Sequence, residues 1–319
     1  DISIGSRGGS YPMDGNIQEM IMYESNQSAN RASIETNINT NYNIFWDGSQ
    51  TGLLDDYPNA SAAYSLRALN SAYTGPAIEV RKTVGSVTSI QDIGFLYDGS
   101  LDTTSLLSFA GSDDVFVAKW YDQSGEGNNA IMSSAARQAS IVLSGVLNTL
   151  NGKPSVLGVA STFYQTASNP NFNGANGNCS GFVVSQLTAD FGGVMTLEFA
   201  TITFRYFNIS NTSFRIQTAD TSGTNTFLVT SPATANSVVV SSFFRSTTSI
   251  STSANGNTNS TTGLNAGRST SNDKLTIMGL AGSNLGLESY FSEAILYPSD
   301  ESSSGTEIET NINDYYTIY

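Results

Sequence analysis

Residues 115–130 of this 319-residue chain read VFVAKWYDQSGEGNNA. The first part, Val115 to Tyr121, is dominated by β-branched and aromatic side chains, which favour a strand. The second part is a run of small polar residues around Gly125 and Gly127, which is typical of a tight turn where glycine takes a positive φ. The stretch therefore predicts a β-strand that runs into a polar loop.

Further short strands are predicted on both sides, separated by turns rich in Gly, Ser, Asn and Asp. They cover residues 78–82, 139–143, 154–159, 180–187, 194–207, 213–217, 226–230, 237–244, 274–280 and 288–297. Two short helices are predicted over residues 60–72 and 102–110, from the spacing of their apolar residues. The small-polar stretch 247–271 predicts either a flexible loop or an exposed hairpin. Regular short strands joined by small polar turns predict an all-β domain, a β-sandwich.

The composition excludes several kinds of site. The chain has 13 Lys and Arg residues against 27 Asp and Glu, a net charge of −14, no His, and a single cysteine, Cys179. Without His there is no Ser-His-Asp triad and no imidazole metal site, and one Cys forms neither an internal disulfide nor a CxxC site. The acidic balance opposes nucleic-acid binding, and no apolar run is long enough for membrane insertion.

The low share of charged residues, 13%, is offset by Ser, Thr, Asn and Gly. This composition suits an extracellular or virion surface, which we therefore expect as the location. The chain begins at Asp1 and shows no signal peptide, so we expect a processed chain or a part of a longer one.

The two ends of the chain repeat each other. The hexapeptide IETNIN occurs at residues 34–39 and again at 308–313, an offset of 274 residues. At that offset residues 1–45 align with 275–319 without a gap, and 15 of the 45 aligned positions are identical.

Each repeated end predicts a strand, a polar turn and a helix. The strands are expected over residues 16–23 and 290–297, and the first helix on Ile34, Ile38 and Tyr42, which recur every fourth residue. We expect a division into residues 1–46, the C-terminal unit of a sandwich, and residues 47–319, a complete sandwich. Because residues 1–45 bury too little surface to fold alone, they need either a preceding copy or a neighbouring subunit that accepts them by strand exchange.

Four motifs resemble the catalytic domain of the arabinofuranosidase B family. They are Ala63–Leu69 (AYSLRAL), Tyr73–Ile78 (YTGPAI), Trp120–Ala130 (WYDQSGEGNNA) and the closing segment 288–300. The resemblance implies a concanavalin A/laminin-G-like sandwich (jelly roll) with a few short helices. Similar modules also occur as non-enzymatic parts of phage virion proteins and secreted adhesins.

The resemblance implies the fold more strongly than the reaction. A retaining glycosidase needs two carboxylates about 5–5.5 Å apart. The position that corresponds to the family's acid holds Ser283, and Gly9 stands at the equivalent place in the N-terminal repeat. The family's adjacent cysteine pair is also missing, so we expect no enzyme activity. An active hydrolase would draw its two carboxylates from Asp190, Glu198, Asp220, Asp273, Glu288 and Glu293.

The loop after the quoted strand supplies the candidate carbohydrate-binding residues: Trp120, Tyr121, Asp122, Gln123 and Asn128. The aromatic pair offers faces for a sugar ring, although neighbouring strand residues point to opposite faces. The alternative is a purely structural turn in which Asp122 accepts backbone N–H groups.

The acidic pairs Asp55-Asp56 and Asp113-Asp114 are candidate Ca²⁺ ligands, because hard cations prefer carboxylate oxygens. No EF-hand spacing accompanies them, so ordinary turns are the alternative and no metal or other cofactor is otherwise expected. Arg67, which falls in the first predicted helix, is expected to pair with a carboxylate or with backbone carbonyls.

Taken together, these features predict a non-enzymatic structural or adhesive module of an extracellular or virion appendage, such as a phage fibre. Its expected partners are neighbouring copies of itself, other appendage proteins and cell-surface glycans. The alternatives are an arabinofuranosidase-type glycoside hydrolase and a filament subunit that polymerises by strand exchange through residues 1–45.

Overall fold

The structure is a computed structural model. It describes residues 17–42, 51–168, 170, 178–186, 192–197, 204–210, 212–219, 225–230, 236–262, 274–279 and 286–319. Its contacts divide the chain into two compact units, Asp1–Asn43 and Ile44–Tyr319. Within the described ranges, no helix has both the length and the apolar composition needed to cross a lipid bilayer.

The helices are α1 (Arg31–Tyr42), α2 (Leu53–Asp56), α3 (Thr103–Ala110) and α4 (Gly305–Tyr316), with short 3₁₀ turns at Ser28–Asn30 and Ala135–Arg137. The strands are β1 (Ala62–Ser65), β2 (Ile78–Val84), β3 (Val87–Ile93), β4 (Val115–Trp120), β5 (Ala130–Ile131), β6 (Ser140–Leu143), β7 (Val146–Leu147), β8 (Thr149–Leu150), β9 (Lys153–Pro154), β10 (Val156–Leu157), β11 (Tyr164–Thr166), β12 (Cys179–Gln186), β13 (Gly192–Leu197), β14 (Phe204–Ser210), β15 (Ser213–Ala219), β16 (Asn225–Thr230), β17 (Val238–Arg245), β18 (Ser249–Ala254), β19 (Asn257–Thr262), β20 (Leu275–Ile277) and β21 (Tyr290–Tyr297).

The strands of Ile44–Tyr319 pair antiparallel in two long rows. One row runs β1-β21-β12-β17-β18-β19. The other runs β3-β2-β4-β5-β11-β20-β13-β14-β15-β16. The short strands β10 and β6 connect the two rows. They pair with each other, and β10 also pairs with β21 of the first row, whereas β6 also pairs with β4 of the second. The predicted all-β sandwich with a few short helices is confirmed.

Two apolar clusters stabilise this unit, and the strands of the first row contribute to both. Along β12, Val183 belongs to the cluster shared with the second row, whereas Phe182 and Val184 belong to the cluster beneath α4. The pattern follows from the alternation of side chains along a strand. Strands β1, β21, β12 and β17 of this row are therefore buried on both faces, whereas β19 at its end is exposed.

A β-bulge in β21 decides which side chains reach α4. Opposite β12, Val184 pairs with Glu293 while the next residue, Ser185, pairs with Phe291, so Ser292 is the extra residue. Phe291 thereby enters the main core, and Glu293 faces Tyr316 of α4.

Two sequence predictions in the sandwich unit have opposite outcomes. The helix predicted over residues 60–72 is wrong, because Ala62–Ser65 form β1 and pair with β21. The helix predicted over 102–110 is confirmed as α3, where the Asp102 side chain accepts the Ser105 backbone N–H. The stretch 247–271 contains the β18–β19 hairpin through residue 262, and residues 263–271 lie outside the described residues.

The unit Asp1–Asn43 contains α1, so its predicted helix is confirmed. The strand predicted over residues 16–23 is wrong for the described residues 17–23, which have no regular secondary structure. The copy at the other end does form a strand, β21, because β1, β10 and β12 pair with it.

Candidate functional site

Trp120, the last residue of β4, lies in the main core and is fully buried. Its ring packs edge-on against Phe291, with ring centroids 6.1 Å apart. A buried ring has no face for a sugar, so Trp120 serves packing.

Asp122 organises the loop itself. It is 3% exposed and accepts the backbone N–H groups of Ala63, Ser124 and Asn128 at 2.8–2.9 Å. Gly125 and Gly127 have φ of +92° and +74°, as predicted for a turn that only glycine forms without strain. The carboxylate thus holds a tight turn and fastens it to β1.

Gln123 fastens the same loop to the chain that leaves β1. Fully buried, it donates from Nε2 to the carbonyls of Ser65 (3.0 Å) and Arg67 (3.1 Å) and accepts the Leu69 N–H at 2.8 Å. Asn128 donates to the Ser61 carbonyl at 2.8 Å. The side-chain amides of Gln123 and Asn128 thus satisfy backbone N–H and C=O groups, which need hydrogen-bond partners when they are buried.

Tyr121 is half-buried at the surface. Its hydroxyl donates to Asp92 Oδ1 at 2.8 Å, and the Lys119 ammonium lies 4.8 Å from the ring centroid. Burial, followed by the hydrogen bond to Asp92, raises the pKa of Tyr121 above its ordinary value. Most polar side chains of this loop form hydrogen bonds within the protein. Carbohydrate binding by the loop stays a prediction.

Arg67 and Glu293 form a buried ion pair beneath α4. Arg67 Nε lies 2.8 Å from Glu293 Oε2 and Nη2 lies 3.1 Å from Oε1. Ser65 and Tyr316 also donate to Oε2, at 2.7 and 3.3 Å. The expected pairing of Arg67 is confirmed, although Arg67 does not lie on a helix.

The ion pair engages one candidate carboxylate of a hydrolase, Glu293, while Glu288 is exposed. The other predicted candidates lie outside the described residues, as does the expected acid position: Asp190, Glu198, Asp220, Asp273 and Ser283.

The acidic pairs have structural contacts. Asp55 caps α2 by accepting the Gly52 N–H at 2.6 Å, Asp113 lies 3.3 Å from the Lys82 ammonium, and Asp114 accepts the Ser144 N–H at 2.7 Å. Across the described ranges, no three His, Cys, Asp or Glu side chains come together as a metal-binding group. Calcium binding stays a prediction.

An open groove of about 550 Å³ lies beside β5, β11 and β20. Strand pairing sets Ile131 opposite Gln165, and Gln165 opposite Thr276. Phe163, two residues before Gln165, lies on the same face of the chain because side chains alternate. The Gln165 amide donates to Thr276 Oγ1 at 3.2 Å.

The groove is basic within an acidic chain. Arg137 and Lys274 line it together with the Phe163 ring, and none of the lining residues within the described ranges is Asp or Glu. The Arg137 guanidinium lies 5.7 Å from the centroid of Phe163, within cation–π distance, and Phe163 also packs against the main core. The arrangement offers an aromatic face, an amide and two cations to one ligand.

Sequence patterns did not single out these groove residues. They come from three separate stretches, 131–137, 163–167 and 274, which only strand pairing brings together. The sequence signal that could have pointed to them is the scarcity of cations, 13 in 319 residues, which makes each Lys or Arg a candidate for a specific role.

Comparison with solved structures finds the same fold in glycoside hydrolases. A GH54 α-L-arabinofuranosidase soaked with a cyclic sulfate inhibitor superposes with a TM-score of 0.59 at 16% identity, covering 82% of this chain and 65% of that one. An arabinofuranosidase complexed with arabinofuranosyl-α-1,2-xylobiose gives 0.53 at 16% identity, covering 82% and 64%. The match thus spans less than two thirds of either enzyme.

A botulinum neurotoxin serotype D binding domain superposes with a TM-score of 0.43 at 11% identity, covering 62% of this chain and 48% of that one. No family model matches the chain, and no curated protein matches it in sequence. The resemblance to arabinofuranosidases is confirmed at the level of the fold.

Proposed function

We propose that this chain is a non-enzymatic glycan-binding module and that the groove beside Phe163 binds a saccharide carrying a carboxylate or sulfate. The observation that carries the proposal is the lining, which combines an aromatic side chain, an amide and two cations and contains no acidic residue in the part of the chain that the structure describes. A sugar ring stacks on an aromatic face, and Arg and Lys bind anionic oxygens.

The charge of the whole chain narrows the ligand class. With a net charge of −14, the protein repels an extended polyanion such as a nucleic acid. A saccharide with one anionic group would lie close to the cations of the groove, Arg137 and Lys274, which attract it. Over longer distances, the repulsion is screened at physiological salt.

Several observations support a role without catalysis. A hydroxyl, Ser283, stands where the resembling family has its acid, and it does not replace a carboxylic acid in proton transfer. Glu293 is held by Arg67, Ser65 and Tyr316.

The composition supports placing this module on an extracellular or virion appendage, where it adheres to cell-surface glycans. Charged residues make up 13% of the chain, and the exposed strand β19 carries Asn, Ser and Thr side chains. A surface of this kind stays soluble through hydration and net negative charge.

The binding test is calorimetry with uronic-acid-containing, sulfated and neutral oligosaccharides. We expect binding of an acidic glycan that weakens at least about tenfold in Phe163→Ala and in Arg137→Gln. Arg31→Gln makes the same charge change on an exposed helix and should leave the affinity unchanged. Binding that is equal in all three variants, or no binding to any glycan class, would contradict the proposal.

The hydrolase alternative has its own test, incubation with an aryl arabinofuranoside. Turnover that a single Asp or Glu substitution abolishes would establish a hydrolase and refute the non-enzymatic role. We expect no turnover above the buffer rate.

A further inference from the structure

Residues 26–42 repeat the turn and helix of residues 300–316, whereas residues 17–23 lack the strand that their counterparts form in β21. Helix α1 (Arg31–Tyr42) and helix α4 (Gly305–Tyr316) are offset by 274 residues at both ends. The turn before each helix is closed by the same bond: the Ser28 N–H donates to Asn26 Oδ1 at 2.9 Å, and the Ser302 N–H donates to Asp300 Oδ1 at 3.1 Å. The turn and the helix of the C-terminal unit are therefore repeated within residues 26–42.

The two copies differ in burial. In β21 the apolar residues are at most 1% exposed: Phe291, Ala294, Ile295, Leu296 and Tyr297. Their N-terminal counterparts are 41–65% exposed: Ile17, Met20, Ile21, Met22 and Tyr23. At roughly 25 cal/mol per Å² of buried apolar surface, covering five such side chains is strongly favourable. The segment thus has the composition of a central strand.

A carboxylate lies in the middle of this apolar segment, as it does in β21. Glu19 is the counterpart of Glu293, and Tyr42 is the counterpart of Tyr316, which donates to Glu293. Partial desolvation, followed by a hydrogen bond to Glu19, raises the pKa of Tyr42. A Tyr and a Glu therefore stand at corresponding positions of both copies, whereas the arginine of the C-terminal copy, Arg67, belongs to the sandwich that receives β21.

We propose that residues 17–42 are a docking element for a second β-sandwich of this fold, one whose own last strand and helix are absent. In that partner they occupy the places that β21 and α4 occupy here. Glu19 binds the arginine that stands where Arg67 stands in this chain.

A second copy of this chain does not fit as the partner. Its own β21 already fills the place and pairs with three strands. The docking element is also bulkier than β21 and α4 at buried positions. Met20 stands for Ala294, and Arg31 stands for Gly305, where even a Cβ atom would lie 2.5 Å from the Phe244 ring.

The partner is therefore a different sandwich with more room beneath the docking helix. Overpacking of a close-packed interior is destabilising, because it forces side chains out of their preferred rotamers. A smaller side chain at the place of Phe244 removes the clash with Arg31.

The first experiment uses the 319-residue chain alone, by light scattering and hydrogen exchange. We expect a monomer whose amides at residues 17–23 exchange rapidly. An oligomer that Glu19→Ala dissociates and Glu24→Ala leaves intact would overturn the choice of partner, because it would mean that copies of the chain accept the element.

The second experiment supplies an acceptor. A further copy of residues 46–274, carrying Phe244→Ala, is joined in front of Asp1, so that the complete chain is retained. We expect the amides of residues 17–23 to exchange at least about 100-fold more slowly than in the chain alone. Glu19→Ala should remove this protection. Glu24→Ala makes the same charge change at an exposed position five residues away and should retain it.

A further variant of the extended chain, with Gln18→Ser, Met20→Ala and Arg31→Gly, guards against simple misfit, since it restores the side chains of the C-terminal copy. Protection in this variant supports the docking role. Rapid exchange at residues 17–23 in both forms of the extended chain would overturn the proposal, as would protection that does not depend on Glu19.

Discussion

Arg67 and Glu293 join the first and last strand regions of the sandwich through a two-point ion pair, with Nε–Oε2 at 2.8 Å and Nη2–Oε1 at 3.1 Å. Arg67 is 8% exposed and Glu293 is fully buried. Arg67 also donates to Asn311 of α4 at 3.0 Å. The pair therefore links the sheet to the helix that covers it.

Removing one partner of this pair should be costly. Arg67→Met leaves the Glu293 charge buried without its cation, and we expect a loss of about 3–5 kcal/mol in the free energy of unfolding. Arg31→Met breaks the exposed Arg31–Glu35 pair and should have little effect on stability, because exposed ion pairs are screened by water. Urea denaturation of both variants measures the difference, and equal losses would show that burial does not decide the effect.

Two glutamines separate structural from binding roles. Gln123→Ala removes three buried hydrogen bonds and should lower the free energy of unfolding by about 1–3 kcal/mol without changing glycan affinity. Gln165→Ala, in the groove, should weaken glycan binding and leave stability within about 0.5 kcal/mol. The reverse pattern, measured by denaturation and calorimetry, would assign binding to the loop after β4.

The approach of α4 to the sheet depends on Gly305. Its Cβ position lies 2.5 Å from the Phe244 ring, so Gly305→Ala should destabilise the protein by about 1–3 kcal/mol. Gly94→Ala is the matched control, because no atom lies within 4 Å of its Cβ position. Thermal unfolding should show a lower Tm for Gly305→Ala than for Gly94→Ala, and the double variant Gly305→Ala/Phe244→Leu should recover part of the loss.

The pH dependence of stability should include a contribution from Glu309. Burial raises the pKa of this carboxyl above its ordinary value of 4.5, although Ser242 and Ser253 donate to it and oppose the shift. The folded state therefore binds the proton more tightly than the unfolded state. This contribution to stability is complete below pH 4.5 and falls as the pH rises through the folded-state pKa.

Glu309→Gln tests this assignment by urea denaturation at a series of pH values. The difference in unfolding free energy, variant minus wild type, should increase as the pH rises above 4.5 and then level off. A difference that stays constant with pH would show that Glu309 titrates alike in the folded and unfolded states.

Local sequence was sufficient where short-range bonds determine structure. The repeat predicted both terminal helices, and the turn before each one closes on a side chain two residues away. The glycines of the loop after β4 take the positive φ that their spacing indicated. The strand predicted over 16–23 and the helix predicted over 60–72 were wrong, because strands depend on neighbours. Residues 62–65 form a strand beside β21, whereas residues 17–23 have no regular structure.

The sequence by itself determined that the chain is an all-β sandwich and that its N-terminal segment repeats its C-terminal unit. It did so through periodicity, turn residues and a gapless match, all of which are local properties of the chain. Only the tertiary structure decided that Trp120, Asp122 and Gln123 are internal, and that Phe163, Gln165, Arg137 and Lys274 share one groove. These outcomes depend on pairing between strands far apart in the chain, which no local pattern encodes.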